Sequence, residues 1–290
     1  MRESEHNATV ALPPSSAPLS LGARARRIGR TAAVALAVTA VTGLGLRAVA
    51  RFFLFPRHRV AAVTPPRHFE VVRATAEGGV PVNMLFLPPP DARARTVVVF
   101  HGNAEAMTHS TWLGDALRAR GLGALLVEYR GYGVSAASGD PSEEGLYADA
   151  EAALEALRAR GVDPARTVLF GYSLGSGVAA EMAHRGRASA LVLVAPFTSV
   201  PAVVTDVAPI FPARLVVRDA FDTLSKAHDI RMPTLVIHGD RDQVVPFWMG
   251  KKLSEEVPGA RFIAVPGGRH GDLFGLDRER LLAAIVDIGA

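Results

Sequence analysis

The chain has 290 residues, 49% of them hydrophobic and 21% charged, which suits one large α/β domain with an N-terminal extension and excludes wholesale disorder. It has no cysteine, so disulfides, thiolate catalysis, thiolate-bound zinc and a lipid-modified cysteine are all excluded. The net charge of +4 is unevenly placed: residues 1–66 hold nine Arg and two Glu, leaving a mildly acidic main domain with no basic face for nucleic acid and an arm suited to anionic lipid.

Residues 1–23, with Pro13, Pro14, Pro18 and several Ser but no apolar period, are expected to form a disordered arm. Residues 24–56 form a basic-flanked apolar segment. Arg24, Arg26, Arg27 and Arg30 precede an uncharged run from Thr31 to Leu46, and Phe52–Phe53–Leu54–Phe55 resume the apolar character after Arg47 and Arg51. A bilayer span needs about 20 apolar residues, a length reached here if Arg47 and Arg51 snorkel to the interface. Three readings fit. The preferred one is a membrane anchor of one N-terminal helix. The second is a secretory signal cleaved near Ala48–Val49–Ala50, which would release a secreted domain. The third is a helix of a soluble protein.

From Arg67 onward the pattern is that of a single domain, residues 67–290. Phe69–Thr75 and Val80–Leu87 read as a hairpin around Glu77–Gly78–Gly79. Apolar strands follow at Thr96–Phe100, Ala124–Tyr129, Thr167–Tyr172, Ala190–Ala195, Thr234–His238 and Arg261–Val265. Helical stretches at Glu105–Arg120, Ser142–Arg160, Gly175–His184, Pro246–Val257 and Leu276–Ile288 alternate with them. This order predicts a mostly parallel central sheet with helices on both faces and antiparallel strands at one edge. Residues 196–226 break the alternation with Pro196, Pro201, Pro209 and Pro212, and are expected to be an irregular cap insertion, or else a structural excursion without a lid role.

The strongest chemical signal is Gly171–Tyr172–Ser173–Leu174–Gly175, set between a strand and a helix. That context is what a nucleophile elbow requires: a sharp turn lifts the Ser173 hydroxyl clear of the sheet, and the two glycines let strand and helix approach closely. A serine hydroxyl needs a base, and the base needs an acid to hold its tautomer. On such a sheet these follow in the order acid, then histidine, on loops after later strands. The loop after Thr234–His238 offers Asp242, preferred, and Asp240; the loop after Arg261–Val265 offers His270, the last histidine of the chain. The backbone amide of Leu174 is one expected oxyanion donor. The other is that of Asn103 or Ala104 in His101–Gly102–Asn103–Ala104, with Asn103 preferred. His101 is expected to shape that loop, and Arg130–Gly131–Tyr132–Gly133 to form a tight turn bordering the site. Neither a phosphate loop nor metal-ligand spacing is present, so no cofactor and no metal are expected.

Phe100–His101–Gly102–Asn103–Ala104, Glu128–Tyr129–Arg130–Gly131–Tyr132–Gly133, Pro141–Ser142–Glu143–Glu144–Gly145–Leu146, the Ser173 pentapeptide and His238–Gly239–Asp240–Arg241–Asp242 occur in that order. Together they resemble the α/β-hydrolase superfamily, within it the serine aminopeptidase-like (S33) hydrolases, and more closely the Bem46-type group. The resemblance covers residues 67–287. It implies the α/β-hydrolase fold and a Ser173–Asp242–His270 triad acting on carboxylic esters, thioesters or amides. It also implies an acyl substrate, small or lipid-like, and often an N-terminal membrane segment. Two other readings stay open: a catalytically silent membrane-tethered binding module, and an acyl transferase on the same triad.

Overall fold

The computed structural model describes residues 44–52, 54–55 and 63–288. The arm of residues 1–23 and most of the basic-flanked segment lie outside them. Among the described residues, no helix is long and apolar enough to cross a membrane. The chain divides into two compact units, Met1–Leu46 and Arg47–Ala290. Residues 44–46 of the first are helical and exposed. The second unit reaches back past the Arg67 at which the sequence pattern changes.

In that second unit residues 47–52 are helical (α1). Eight strands form one sheet: β1 (Glu70–Ala76), β2 (Val80–Leu87), β3 (Thr96–Phe100), β4 (Gly123–Glu128), β5 (Thr167–Tyr172), β6 (Ala190–Val194), β7 (Thr234–Gly239) and β8 (Arg261–Val265). Their spatial order is β1-β2-β4-β3-β5-β6-β7-β8. β2 is antiparallel to both its neighbours, and the pairings from β4 to β8 are all parallel. One reversed strand is enough to let a two-strand hairpin join a parallel sheet.

The intervening helices are α2 (Thr111–Arg118), α3 (Glu143–Arg158), α4 (Leu174–His184), α5 (Val200–Val207), α6 (Ala213–Val216), α7 (Leu224–Ala227), α8 (Phe247–Glu256), α9 (Leu273–Leu276) and α10 (Arg278–Asp287). Alternation along the strands divides the core into two faces. Val98, Phe100, Leu169, Leu191, Leu193 and Val236 pack with side chains of α3, α4 and α8. Val97, Val99, Phe170, Val192 and Ile237 pack with those of α2 and α10. Right-handed crossovers account for this split. The connection β3–β4 runs one way along the sheet and the connections β4–β5, β5–β6 and β7–β8 run the other way. The reversal falls between β3 and β5, and the crevice beyond the carboxyl ends of those two strands is where such sheets bind ligands.

The insertion after β6 differs from its expected irregular character, since it holds α5, α6 and α7. Ser199 caps α5 by accepting from the amide of Ala202, and Pro201 sits in the first turn, where a missing N–H costs nothing. The prolines here start helices as well as breaking them. Helix ends elsewhere also shift: Glu105–Arg120 resolves into a short 3-10 turn, Met107–Ser110, followed by α2.

Candidate active site

β5 and α4 meet at Ser173, whose backbone is held at φ 50° and ψ −116°. A positive φ on a non-glycine residue is strained and persists only where its surroundings enforce it. The enforcement here is steric. A side chain on Gly171 would stand 2.3 Å from the Gly175 carbonyl oxygen, and one on Gly175 would stand 2.0 Å from that of Phe100. Both positions therefore exclude any Cβ, and helix and strand close to backbone contact. The Ser173 amide donates to the Val194 carbonyl at 2.9 Å, and the Ser176 hydroxyl donates to the Ser173 carbonyl at 2.6 Å.

Three sequence-expected residues come together at this turn. His270 Nε2 lies 2.9 Å from Ser173 Oγ, and His270 Nδ1 lies 2.8 Å from Asp242 Oδ2. A carboxylate can only accept, so Nδ1 carries the proton and Nε2 presents its lone pair to the serine hydroxyl. Asp240, the other acid of that loop, faces elsewhere: its Oδ1 accepts from the Gly267 amide at 2.7 Å and ties the acid loop to the histidine loop. The two loops also touch through backbone, because a side chain on Gly239 would stand 2.2 Å from the Gly268 carbonyl oxygen.

Asp242 is enclosed, with its side chain fully shielded from solvent. Its Oδ1 accepts from the amides of Val244 at 2.8 Å and Val245 at 2.9 Å. Burial alone would raise its pKa, but hydrogen bonds from His238 and His270, the charge interaction with His270 and the Val245 amide outweigh this and hold the carboxyl well below the usual carboxylate range. A carboxyl group whose folded pKa lies below its unfolded value of about 3.9 contributes stability in full above that pH, and the contribution fades as pH falls through it toward the folded value. The stability difference between wild type and Asp242→Asn, read from urea midpoints at a series of pH values, should therefore shrink on acidification from neutrality. A difference that grew toward low pH would contradict this electrostatic assignment.

His238 was not singled out from sequence. It is fully buried at the end of β7, with Nε2 3.3 Å from Asp242 Oδ2 and 3.1 Å from the Val245 carbonyl oxygen. Both neighbours accept, so Nε2 is the protonated nitrogen. Nδ1 has no hydrogen-bond partner among the described residues and faces Gly250, where any side chain would stand 2.2 Å away. His238 thus donates to the carboxylate and helps aim it. The spacing His238–Asp242 was the available sequence signal, but four residues apart across a strand end does not reveal contact. Tyr172 was also missed in this role. Its hydroxyl donates to the His270 carbonyl at 2.8 Å, and its ring lies 5.4 Å from the imidazole.

The loop after β3 brings Asn103 to the site. Asn103 Oδ1 accepts from the Tyr132 hydroxyl at 2.8 Å, and Nδ2 donates to the Leu54 carbonyl at 2.6 Å. Tyr132 is placed by the turn after β4, which the fully buried carboxylate of Asp149 on α3 anchors by accepting from the Arg130 amide at 2.8 Å and its Nη2 at 2.6 Å. The Asn103 amide has no hydrogen-bond partner among the described residues, and that of Leu174 opens α4, where the first N–H groups have no intrahelical partner. His101 lies buried behind this loop, with Nδ1 2.8 Å from the Gly102 carbonyl oxygen and Nε2 3.2 Å from Glu128.

Comparisons with known proteins agree with this fold. The family model for serine aminopeptidase, S33, matches residues 91–218, a span that includes Ser173 and Asn103 but stops before Asp242 and His270. An uncharacterized protein of Mycobacterium tuberculosis is 40% identical over 191 residues, covering 65% of this chain and 67% of that one. Alpha/beta hydrolase domain-containing protein 17C of Xenopus tropicalis is 35% identical over 210 residues, covering 70% of this chain and 65% of that one. Among solved structures, an esterase of Pyrococcus furiosus, Pf2001, superposes with a TM-score of 0.63 at 18% identity over 79% of this chain and 96% of its own. The esterase EaEST of Exiguobacterium antarcticum superposes with a TM-score of 0.56 at 20% identity over 75% and 98%. With its reversed-strand parallel sheet, its strained serine turn and these relatives, the chain belongs to the α/β-hydrolase superfamily and is, by family, a hydrolase.

Proposed function

We propose that this hydrolase cleaves carboxylic esters, thioesters or amides through an acyl-enzyme formed on Ser173. The observation that carries the reading is the unbroken hydrogen-bonded series Ser173 Oγ, His270, Asp242 at 2.9 and 2.8 Å. His270 Nε2 takes the hydroxyl proton as Ser173 Oγ attacks the carbonyl carbon. The negative charge that develops on the carbonyl oxygen is met by the amides of Leu174 and Asn103. Asp242 keeps its negative charge throughout and stabilises the imidazolium. His270 then protonates the leaving group, which departs as alcohol, thiol or amine. A water molecule, deprotonated by the same nitrogen, releases the acid and restores Ser173. No metal or cofactor enters these steps.

We further propose that the chain works at a membrane, held by the N-terminal basic-flanked segment, on small or lipid-like acyl substrates. The support is the uncharged run Thr31–Leu46 between arginines. A fluorophosphonate probe tests the chemistry, since it reports an activated serine. Wild-type protein should label and Ser173→Ala should not, with both equally folded by circular dichroism. Folded wild type that stays unlabelled would shift the reading to a silent binding module. Fractionating the labelled protein tests the location: recovery in the soluble fraction alone would refute the anchor.

A further inference from the structure

Large apolar side chains left exposed are not spread evenly over the molecule. Val207, Ile210 and Leu215 lie in the connection after β6, Val244 and Trp248 in that after β7, and Trp112 in that after β3. Each connection leaves the carboxyl end of its strand, the end that carries Ser173. The concentration is greatest at the tip of the β6–β7 insertion. There α5 runs out at Val207, and every residue from 205 to 210 is exposed. Val207 is 74% exposed, Leu215 76% and Ile210 99%. A side chain as exposed as that of Ile210 has almost nothing packed against it. Scattered exposed aliphatics need no explanation, but a cluster does.

The same segment borders a groove of about 700 Å³, lined by Ala202, Phe211, Leu215 and Trp248 among others. Trp248 Nε1 donates to Asp206 Oδ1 at 3.3 Å, tying α5 to the first turn of α8. Arg214 is exposed on the rim of the same groove and has no acidic partner among the described residues. Aliphatic tip, half-exposed tryptophan and unpaired arginine are the composition that suits the boundary between hydrocarbon and anionic headgroups. Exposed aliphatics around an open groove suit a soft, deformable medium better than the relief of a protein partner, whose interface core is a packed and largely uncharged patch.

A second feature points the same way. Phe55, at the end of the apolar run that follows Arg51, is buried and packs edge-on against Phe221 of the insertion, ring centres 6.5 Å apart. Leu54 meets Asn103 as described. Leu54 and Phe55 therefore pack at the site-bearing end of the domain, where the exposed residues also lie.

We propose that residues 205–215, with Trp248, insert into the interfacial layer of an anionic lipid bilayer, so that the carboxyl end of the sheet faces the lipid. This contact is separate from the N-terminal anchor and does not depend on the acyl chemistry.

The absence of cysteine makes the test clean, because one introduced thiol gives one label. The full chain carrying Ile210→Cys is labelled with an environment-sensitive nitrobenzoxadiazole dye and mixed with vesicles of phosphatidylcholine containing a minority of phosphatidylglycerol. Glu155→Cys, on the outer face of α3, serves as control. The expected result is a blue-shifted emission, several-fold brighter, at position 210 and none at 155, weakened by salt and by Arg214→Glu. Protein that floats with the vesicles while position 210 stays unresponsive would overturn the proposal and leave the anchor standing. Protein that fails to float would overturn both. A response without vesicles that rises with protein concentration would replace the bilayer with a second copy of the chain.

Discussion

Replacing Asp242 with Asn is expected to lower kcat by on the order of 10⁴-fold while leaving the fold intact. The argument rests on which atoms can donate. In wild type Asp242 Oδ1 accepts from the amides of Val244 and Val245, leaving Oδ2 for His270 and His238. An asparagine keeps its oxygen on the two amides, so its NH2 points at both histidines. His270 can satisfy that NH2 only by presenting an Nδ1 lone pair, which moves its proton to Nε2. Nε2–H then faces Ser173 and cannot accept the hydroxyl proton. His238 keeps the Val245 carbonyl at 3.1 Å, but its Nε2–H now faces the second N–H of the asparagine, so one buried amide hydrogen lacks an acceptor and the variant loses some stability without losing the fold. Turnover of a soluble nitrophenyl ester and fluorophosphonate labelling should fall together, with circular dichroism unchanged. A loss below about tenfold, against the four orders expected for the wrong tautomer, would remove Asp242 from the acid role.

The parts of this site that were legible in the sequence are those encoded locally. Five consecutive residues around Ser173 carry the turn, because the steric demand falls on Gly171 and Gly175 themselves. Alternating apolar strands and helices give the parallel sheet, because each strand buried on both faces must be apolar throughout. The choice between Asp240 and Asp242 was open for a physical reason: both sit in one loop, and only the packing of that loop against the Gly267–Gly268 turn decides which carboxylate meets His270. His238 was invisible as a neighbour of Asp242 because a buried histidine ending a strand reads as core. In the β6–β7 insertion α5 was masked by Pro201, which serves as its first-turn residue, and α6 by Pro212 at its N-cap.

The contact most remote from any sequence signal is the one made by residues 51–55, and it yields the second large expectation. A chain beginning at Arg67 should be less stable than one beginning at Arg47 by about 3–5 kcal/mol, the usual cost of deleting a buried phenylalanine. Phe55 is 5% exposed and shares the core face that holds Phe221 and Tyr147, and Tyr147 stacks edge-on to Phe221 at 5.7 Å. Its removal opens a cavity that these rings line, and α1 also surrenders the bond from Arg51 Nη2 to the Pro141 carbonyl at 2.8 Å. Asn103 loses more than packing. Its Nδ2 gives up the Leu54 carbonyl, so its side chain is held at Oδ1 alone, by the Tyr132 hydroxyl and the neighbouring Ala104 amide. If Asn103 supplies an oxyanion amide, the shorter chain should also lose kcat with little change in KM, because that donor acts on charge present only in the transition state. Phe55→Ala in the chain from Arg47 separates the two effects: it should reproduce the loss of stability but keep most of the rate, since Leu54 remains to hold Asn103. Equal urea midpoints and equal kcat for the two chain lengths would reduce residues 51–55 to a passive linker. A loss of stability without a loss of rate would show that the Leu54 tie is not needed to place Asn103, or that the second oxyanion donor lies elsewhere in the loop after β3.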